Sequence, residues 1–346
     1  DENEKLDFLK KKPAIDFYIE LEGELGFVDL VKALSENDFN VEQLKKHGKK
    51  IINTCYIYDG QLIKGSIERI KDINIIPSPY LTGALDQYFQ LPLIPMIETT
   101  RGCPFTCTFC ADGLAIKNKI NRYETQRTRE ELQYIAKNIN KVDELIVTDL
   151  NFGMYKQDVE TAKEIANIQK NYNYPVSVDA PAGKNMPKRI INIASIMKGW
   201  SMGGVIQSSD PGVLKAIKRS NISIHAYQDL IDFGNKQKAN RTYTEIILGL
   251  PDDTKEKHFK SLRLGIEKSV NNLRMHQAML LIGTEMASKK DREKYGLITK
   301  FRTLPGNVGN YNILNEEHPV AEIEEIVVGS NTLSMNDYVE CRIMNL

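Results

Sequence analysis

Arg101 to Cys110 reads RGCPFTCTFC and directly follows the apolar, strand-like run Ile94 to Thr100. Cys103, Cys107 and Cys110 stand in C-x3-C-x2-C spacing, while Cys55 and Cys341 are isolated. A disulfide framework calls for an even number of spread cysteines. Five cysteines, three of them clustered, point instead to reduced thiolates on a metal in a reducing, cytoplasmic setting. A four-iron four-sulfur (4Fe-4S) cluster takes one thiolate per iron, so three thiols in one loop leave an iron with an open coordination position. Two other readings stay open on the residues alone. One is a structural zinc site with a fourth protein ligand, although the nearest downstream histidine is His225. The other is an electron-transfer cluster closed by Cys55 or Cys341. Either would make the chain a non-enzymatic iron-sulfur or zinc binding module.

Outward from this loop, apolar runs alternate with helical patterns. Strands are predicted at Ile94 to Thr100, Glu144 to Asp149, Pro175 to Ala180, Met202 to Gln207, Thr244 to Leu250 and Leu273 to Ile282. The helices between them carry start and stop signals. TREE at Thr128 to Glu131 reads as a capping box, Asp210-Pro211 as an N-cap with a first-turn proline, and Gly199 as a terminator after Ile190, Ile193, Ala194 and Met197. Units of about thirty residues suit right-handed parallel crossovers. The pattern predicts an α/β fold, met equally by an open doubly wound sheet and an incomplete barrel. In both, ligands gather at the carboxyl ends of the strands, where the Cys loop lies.

The 346 residues balance 46 basic against 46 acidic side chains, which gives no reason to expect a polyanion, so nucleic acid is not the expected partner. Apolar runs reach about six residues, far short of the roughly twenty that span a bilayer. The chain begins DENEKLDFLKKK without a secretory pattern and without Met, so it reads as a fragment of a longer protein. Four regions are expected: residues 1–72, with a strand-helix unit and the hairpin CYIYDGQL (55–62); a Pro-rich linker, 73–93; the β/α core, 94–286; and a C-terminal extension, 287–346.

Cys103, Cys107, Phe109 and Cys110 match the C-x3-C-x-aromatic-C loop, and the region from Ile73 to Tyr311 resembles the radical S-adenosylmethionine (SAM) enzymes. The resemblance implies a partial (β/α)6, TIM-like barrel after a truncated α/β N-terminal segment. It also implies a 4Fe-4S cluster on the three cysteines whose open iron chelates SAM. Reductive cleavage of SAM then yields a 5'-deoxyadenosyl radical, with the electron coming from a donor such as flavodoxin or ferredoxin. By similarity, IVTDLNFG (146–153) offers Asp149 and Asn151 to SAM, without the Gly-Gly-Glu of other members, and VSVDA (176–180) offers Ser177 and Asp179. VIQSSDPGVLKAIKRS (205–220) offers Gln207 and, for the SAM carboxylate, Arg219; EIILGLPDDT (245–254) offers Ile247, Gly249 and Leu250 around adenine. Arg274, His276 and Gln277 on the sixth strand are candidate contacts to a small-molecule substrate.

AIDFYIELEGELGFVDLVKAL (14–34) and IPSPYLTGALDQYF (76–89) are similar to the end of the cobalamin-binding domain and the linker of one radical SAM subfamily. That group includes methyltransferases. The D-x-H-x-x-G cobalt loop is absent and His47 does not match it, so cobalamin is expected only with an upstream domain. A methylthiotransferase is the alternative enzyme. It usually carries a second cluster domain and a basic RNA-binding domain, whereas residues 315–346 are acidic.

Overall fold

The computed structural model describes residues 2–237 and 242–345. It divides into two compact units, Asp1–Pro77 and Ser78–Leu346.

In the first unit, α1 (Glu2–Lys10) precedes β1 (Tyr18–Ile19), α2 (Gly23–Ser35), α3 (Val41–Lys46), β2 (Thr54–Tyr58) and β3 (Gln61–Lys64). The hairpin falls where the sequence puts it. Asp59 and Gly60 both have positive φ, 47° and 72°, the requirement of the tight turn that matches strand twist. The strand of the expected strand-helix unit is the short β1, which pairs antiparallel with β2. Leu30, Ala33, Leu44 and Ile51 form this unit's own core.

The second unit carries β4 (Met96–Ile97), β5 (Thr100–Arg101), β6 (Asn121–Arg122), α4 (Thr125–Asn138), β7 (Glu144–Val147), α5 (Gln157–Tyr172) and β8 (Ser177–Asp179). Then come α6 (Pro187–Ile196), β9 (Met202–Gly203), α7 (Pro211–Ala216), α8 (Ile224–Lys236), β10 (Thr242–Leu248), α9 (Lys255–Glu267) and β11 (Asn272–Gln277). It ends with α10 (Lys289–Tyr295), the long hairpin β12 (Ile298–Ile313) and β13 (Glu316–Gly329), and α11 (Met335–Met344). Strands β4-β7-β8 form one parallel sheet and β9-β10-β11 another. A parallel bridge from Val178 to Trp200 links β8 to the approach of β9. Antiparallel pairings, β5 with β6 and β12 with β13, complete an α/β fold with mixed sheets, consistent with an open, partial barrel.

Alternation along the strands explains what faces inward. Leu145, Val147, Val178 and Ala180 pack on helix residues Ile135, Ile165 and Ile193, forming the main core. Ser177 and Asp179 therefore project to the opposite, open face. Tyr80 and Phe89, from the stretch read as linker, are buried in that same core.

The helix signals hold unevenly. Asp210 caps α7 as expected, its carboxylate accepting from Gly212 N at 2.9 Å and Val213 N at 3.1 Å. TREE is not a capping box: α4 begins at Thr125, and Thr128 lies buried inside it, turned toward the core rather than toward an N-terminus. Gly199 follows α6 with φ +75°, and a Cβ there would stand 2.0 Å from the Val176 carbonyl oxygen, so no other residue fits without moving that strand. Among the described residues, no helix is long and apolar enough to cross a membrane.

Candidate functional site

The Cys loop leaves β5 and is fixed by its backbone. Cys103 N donates to Lys117 O at 3.1 Å and Cys110 N to Cys107 O at 3.1 Å. Thr108 joins the loop to two distant segments: its N–H meets Ile217 O at 3.1 Å, and its carbonyl accepts from Met286 N at 2.9 Å. Gly113 packs on the loop so closely that a Cβ would stand 2.2 Å from Cys107 O. Cys103 and Cys107 are buried and Cys110 is half-buried; all five cysteines of the chain are free thiols.

Polar side chains from two strand ends and one helix end reach Cys103 and Cys107. Asn151, after β7, donates to Cys103 Sγ at 3.3 Å. Lys184, after β8, donates to Cys107 Sγ at 3.6 Å. Arg219, after α7, is buried, with Nε on Asn221 Oδ1 at 3.1 Å and Nη2 on the Val205 carbonyl. Burial lowers its pKa from the usual arginine range, and Cys107 is the first of the groups opposing that shift. Among the described residues, Asn151 Oδ1 after β7, Gln207 Oε1 after β9 and Arg219 Nη1 after α7 are buried without a hydrogen-bond partner. Leaving such atoms unpaired costs about 1–3 kcal/mol each, the mark of a place built for a polar guest.

Beside Cys110 the character changes. A cavity of 650 Å³ is lined by Phe109, Cys110, Ile247, Met275, His276, Gln277 and Ala278, among others, a size suited to a small organic molecule. Phe109 and Ile247 pack on the cluster of Leu250, Ala278 and Val327. Gly249 turns the chain at φ +84° against Val327. The sequence did not mark the far wall, where Arg302, Leu304 and Glu324 of the long hairpin and Arg342 of α11 line the same cavity.

Two buried carboxyls brace these two sides. Asp149 accepts from Thr99 N at 2.7 Å, Thr100 N at 3.0 Å and the Thr99 hydroxyl, and burial pushes its pKa up to about 6. Both its oxygens are thus engaged within the protein. Asp253 carries no signal in the sequence pattern; it accepts from Thr254 N at 3.0 Å and from the Gly249 backbone, with its pKa pushed up to about 7 by burial. Ser177 and Asp179 share the open face of β8. Arg274 and His276 share a face of β11, where Glu245 Oε1 is 3.6 Å from Arg274 Nη1 and 4.0 Å from His276 Nε2. Gln277 points to the other side and hydrogen-bonds the Tyr338 hydroxyl of α11.

Among the described residues, no group of three or more His, Cys, Asp or Glu side chains converges as a site for a metal ion. Zinc needs its four ligands on one ion, whereas a cluster spreads its thiolates over different irons. Cys341 packs in an apolar cluster with Leu248, Ile326 and Tyr338. The donors on Cys103 and Cys107, and the unpaired polar atoms around them, fit a cluster with a polar ligand beside it. The profile of the family described as Radical SAM superfamily matches residues 97–264.

Over that stretch, a little under half of its length, the chain is similar to the radical SAM superfamily. It is 28% identical over 360 residues to 2-(S-pantetheinyl)-carbapenam-3-carboxylate methyltransferase of Streptantibioticus cattleyicolor, covering 97% of this chain and 49% of that protein. It is 29% identical over 353 residues to the cobalamin-dependent radical SAM methyltransferase TokK of Streptomyces tokunonensis, covering 96% of this chain and 48% of the relative. The chain thus spans about half the length of these curated relatives. The radical SAM methyltransferase TsrM of Kitasatospora setae shares the fold, with TM-score 0.60 and 13% identity, over 90% of this chain and 59% of that one.

Proposed function

We propose that the whole protein is a cobalamin-dependent radical SAM methyltransferase acting on a small molecule, and that this chain supplies its cluster and SAM site. The carrying observation is the juxtaposition of a three-thiol loop with partnerless buried polar atoms on one side and, on the other, a cavity whose near wall of Phe109, Ile247 and Ala278 is apolar. The likeness to two methyltransferases over nearly the whole chain supports the net reaction. The bridge from Val178 to Trp200 between the two parallel sheets supports reading β4, β7, β8, β9, β10 and β11 as a (β/α)6 partial barrel.

Cys103, Cys107 and Cys110 hold the cluster, which when reduced supplies one electron to cleave SAM. Arg219 Nη1 binds the SAM carboxylate, for which a guanidinium's planar fork is suited. Asn151 Oδ1 and Gln207 Oε1 accept hydrogen bonds from SAM, and Ser177 and Asp179 meet its polar middle from the open face of β8. Phe109, Ile247, Gly249 and Leu250 exclude water around adenine. Asp149 serves by holding Thr99 and Thr100, and so the start of the Cys loop. Arg274 and His276 face the substrate, with Gln277 a fixed part of the wall.

The first unit's histidine, His47, caps α3 on the exposed surface and is not offered as a cobalt ligand. Cobalamin would be held by residues outside this chain. Five free thiols suit a reducing cytoplasm, and a flavodoxin or ferredoxin is the fitting electron donor.

The test is anaerobic reconstitution with iron and sulfide, reduction with dithionite, and chromatography of the products, with and without added cobalamin. 5'-Deoxyadenosine is expected in both samples; S-adenosylhomocysteine is expected only when cobalamin and the whole protein are present. Protein that takes up iron but leaves SAM intact would overturn the proposal.

A further inference from the structure

The loops after β7 and β8 are zipped together. Phe152 N donates to Pro181 O at 2.9 Å and Gly183 N to Phe152 O at 2.8 Å, around a parallel bridge between Phe152 and Ala182. Gly183 permits this contact: a Cβ there would stand 2.9 Å from Met154 Cβ and 3.2 Å from Asn151 O. The first loop thereby brings Asn151 to Cys103, and the second brings Lys184 to Cys107. Lys184 Nζ also lies over the Phe105 ring, 4.8 Å from its centroid, so the ammonium is held on the loop between the first two cysteines.

From this arrangement we infer that Lys184 is a positioning residue for the cluster, a fixed cation on the Cys107 sulfur that makes one-electron reduction easier. This rests on the reading of the three thiols as cluster ligands. The physical ground is simple. Reduction adds one negative charge to an assembly already carrying three thiolates, and a nearby cation with a hydrogen bond to sulfur stabilises the more negative state. Partial burial keeps water from screening the effect. Arg219 also faces Cys107, with Nε and Nη2 held by Asn221 and the Val205 carbonyl; Lys184 is the one of the two that lies over the Phe105 ring of the Cys loop.

The experiment is an EPR-monitored redox titration of reconstituted wild type, Lys184→Met and Lys184→Arg, with iron content measured on the same samples. Dithionite supplies the electron and is oxidised to sulfite, while the cluster passes from its 2+ to its 1+ state. Lys184→Met keeps the length of the side chain and removes its charge and donors. The expected result is full iron content with about a tenfold lower ratio of reduced to oxidised cluster at a fixed poise, which is about 59 mV for one electron. Lys184→Arg is expected to stay near wild type. A wild-type midpoint in iron-loaded Lys184→Met overturns the inference. If Lys184→Met loses iron, restoration of both iron and midpoint by Lys184→Arg supports it, and failure to restore them overturns it. Wild type that takes up no iron defeats the cluster reading itself; a loaded cluster indifferent to both variants defeats only the role of Lys184.

Discussion

The two sides of the Cys loop differ in kind. Around Cys103 and Cys107 the neighbours are Asn151, Lys184 and Arg219, with buried polar atoms unpaired; beside Cys110 they are Phe109, Ile247 and Ala278 around a cavity. Each side is braced by a carboxyl kept partly protonated by burial, Asp149 on the first and Asp253 on the second. A polar wall orients a charged group, and an apolar wall grips an organic body. SAM has one of each, an amino-acid end and an adenosine end.

The most drastic way to break the contrast is to remove its centre. Cys107→Ala is expected to abolish cluster absorbance and SAM cleavage together, read by visible spectroscopy and product chromatography. Next is the polar wall: Arg219→Met should weaken SAM binding about 10- to 100-fold in equilibrium dialysis, the worth of a hydrogen bond to a charged group. Arg219→Lys should recover little, since a lysine cannot form the two-pronged contact. The apolar wall should respond less, with Ile247→Ala raising the apparent Kd for SAM about tenfold through lost apolar area while iron content stays unchanged.

The smallest effect concerns the braces. Each has a folded pKa raised above its unfolded value, so the folded state binds more protons and this contribution to stability falls as pH rises between the two. For Asp253 the window runs from about pH 4 to about pH 7, with a slope of at most about 1.4 kcal/mol per pH unit. Asp253→Asn should remove that slope, so that thermal unfolding of the variant gains on wild type from pH 5 to pH 7.5. Asp149, pushed up to about 6, contributes a slope of the same sign, which Asp149→Asn should remove in the same measurement.

The parallel strands and the Cys loop were legible because their signals are local. All six strand positions rest on short β-rich runs between helical patterns, and three thiols within one loop have few chemical uses. The long hairpin was not legible. Its first strand contains Pro305, Gly306, Asn307 and Gly309, residues that usually signal a turn, and most of it is exposed, so no apolar alternation marks it. With it went the cavity wall of Arg302 and Glu324. Lys184 could not be found from sequence either, since its partner lies 77 positions away and only the zipped loops bring the two together. Asp149 stands out as polar in the sequence, but its commitment to Thr99 and Thr100 needs the packing of β7 on β4.

The central claim is that three thiols leave an iron open to SAM between these two walls. The most direct measurement is the EPR spectrum of the dithionite-reduced, reconstituted protein before and after SAM is added. The account predicts that SAM changes the spectrum of the cluster in wild type and that the change requires a higher SAM concentration in Arg219→Met. A cluster signal indifferent to saturating SAM would contradict it.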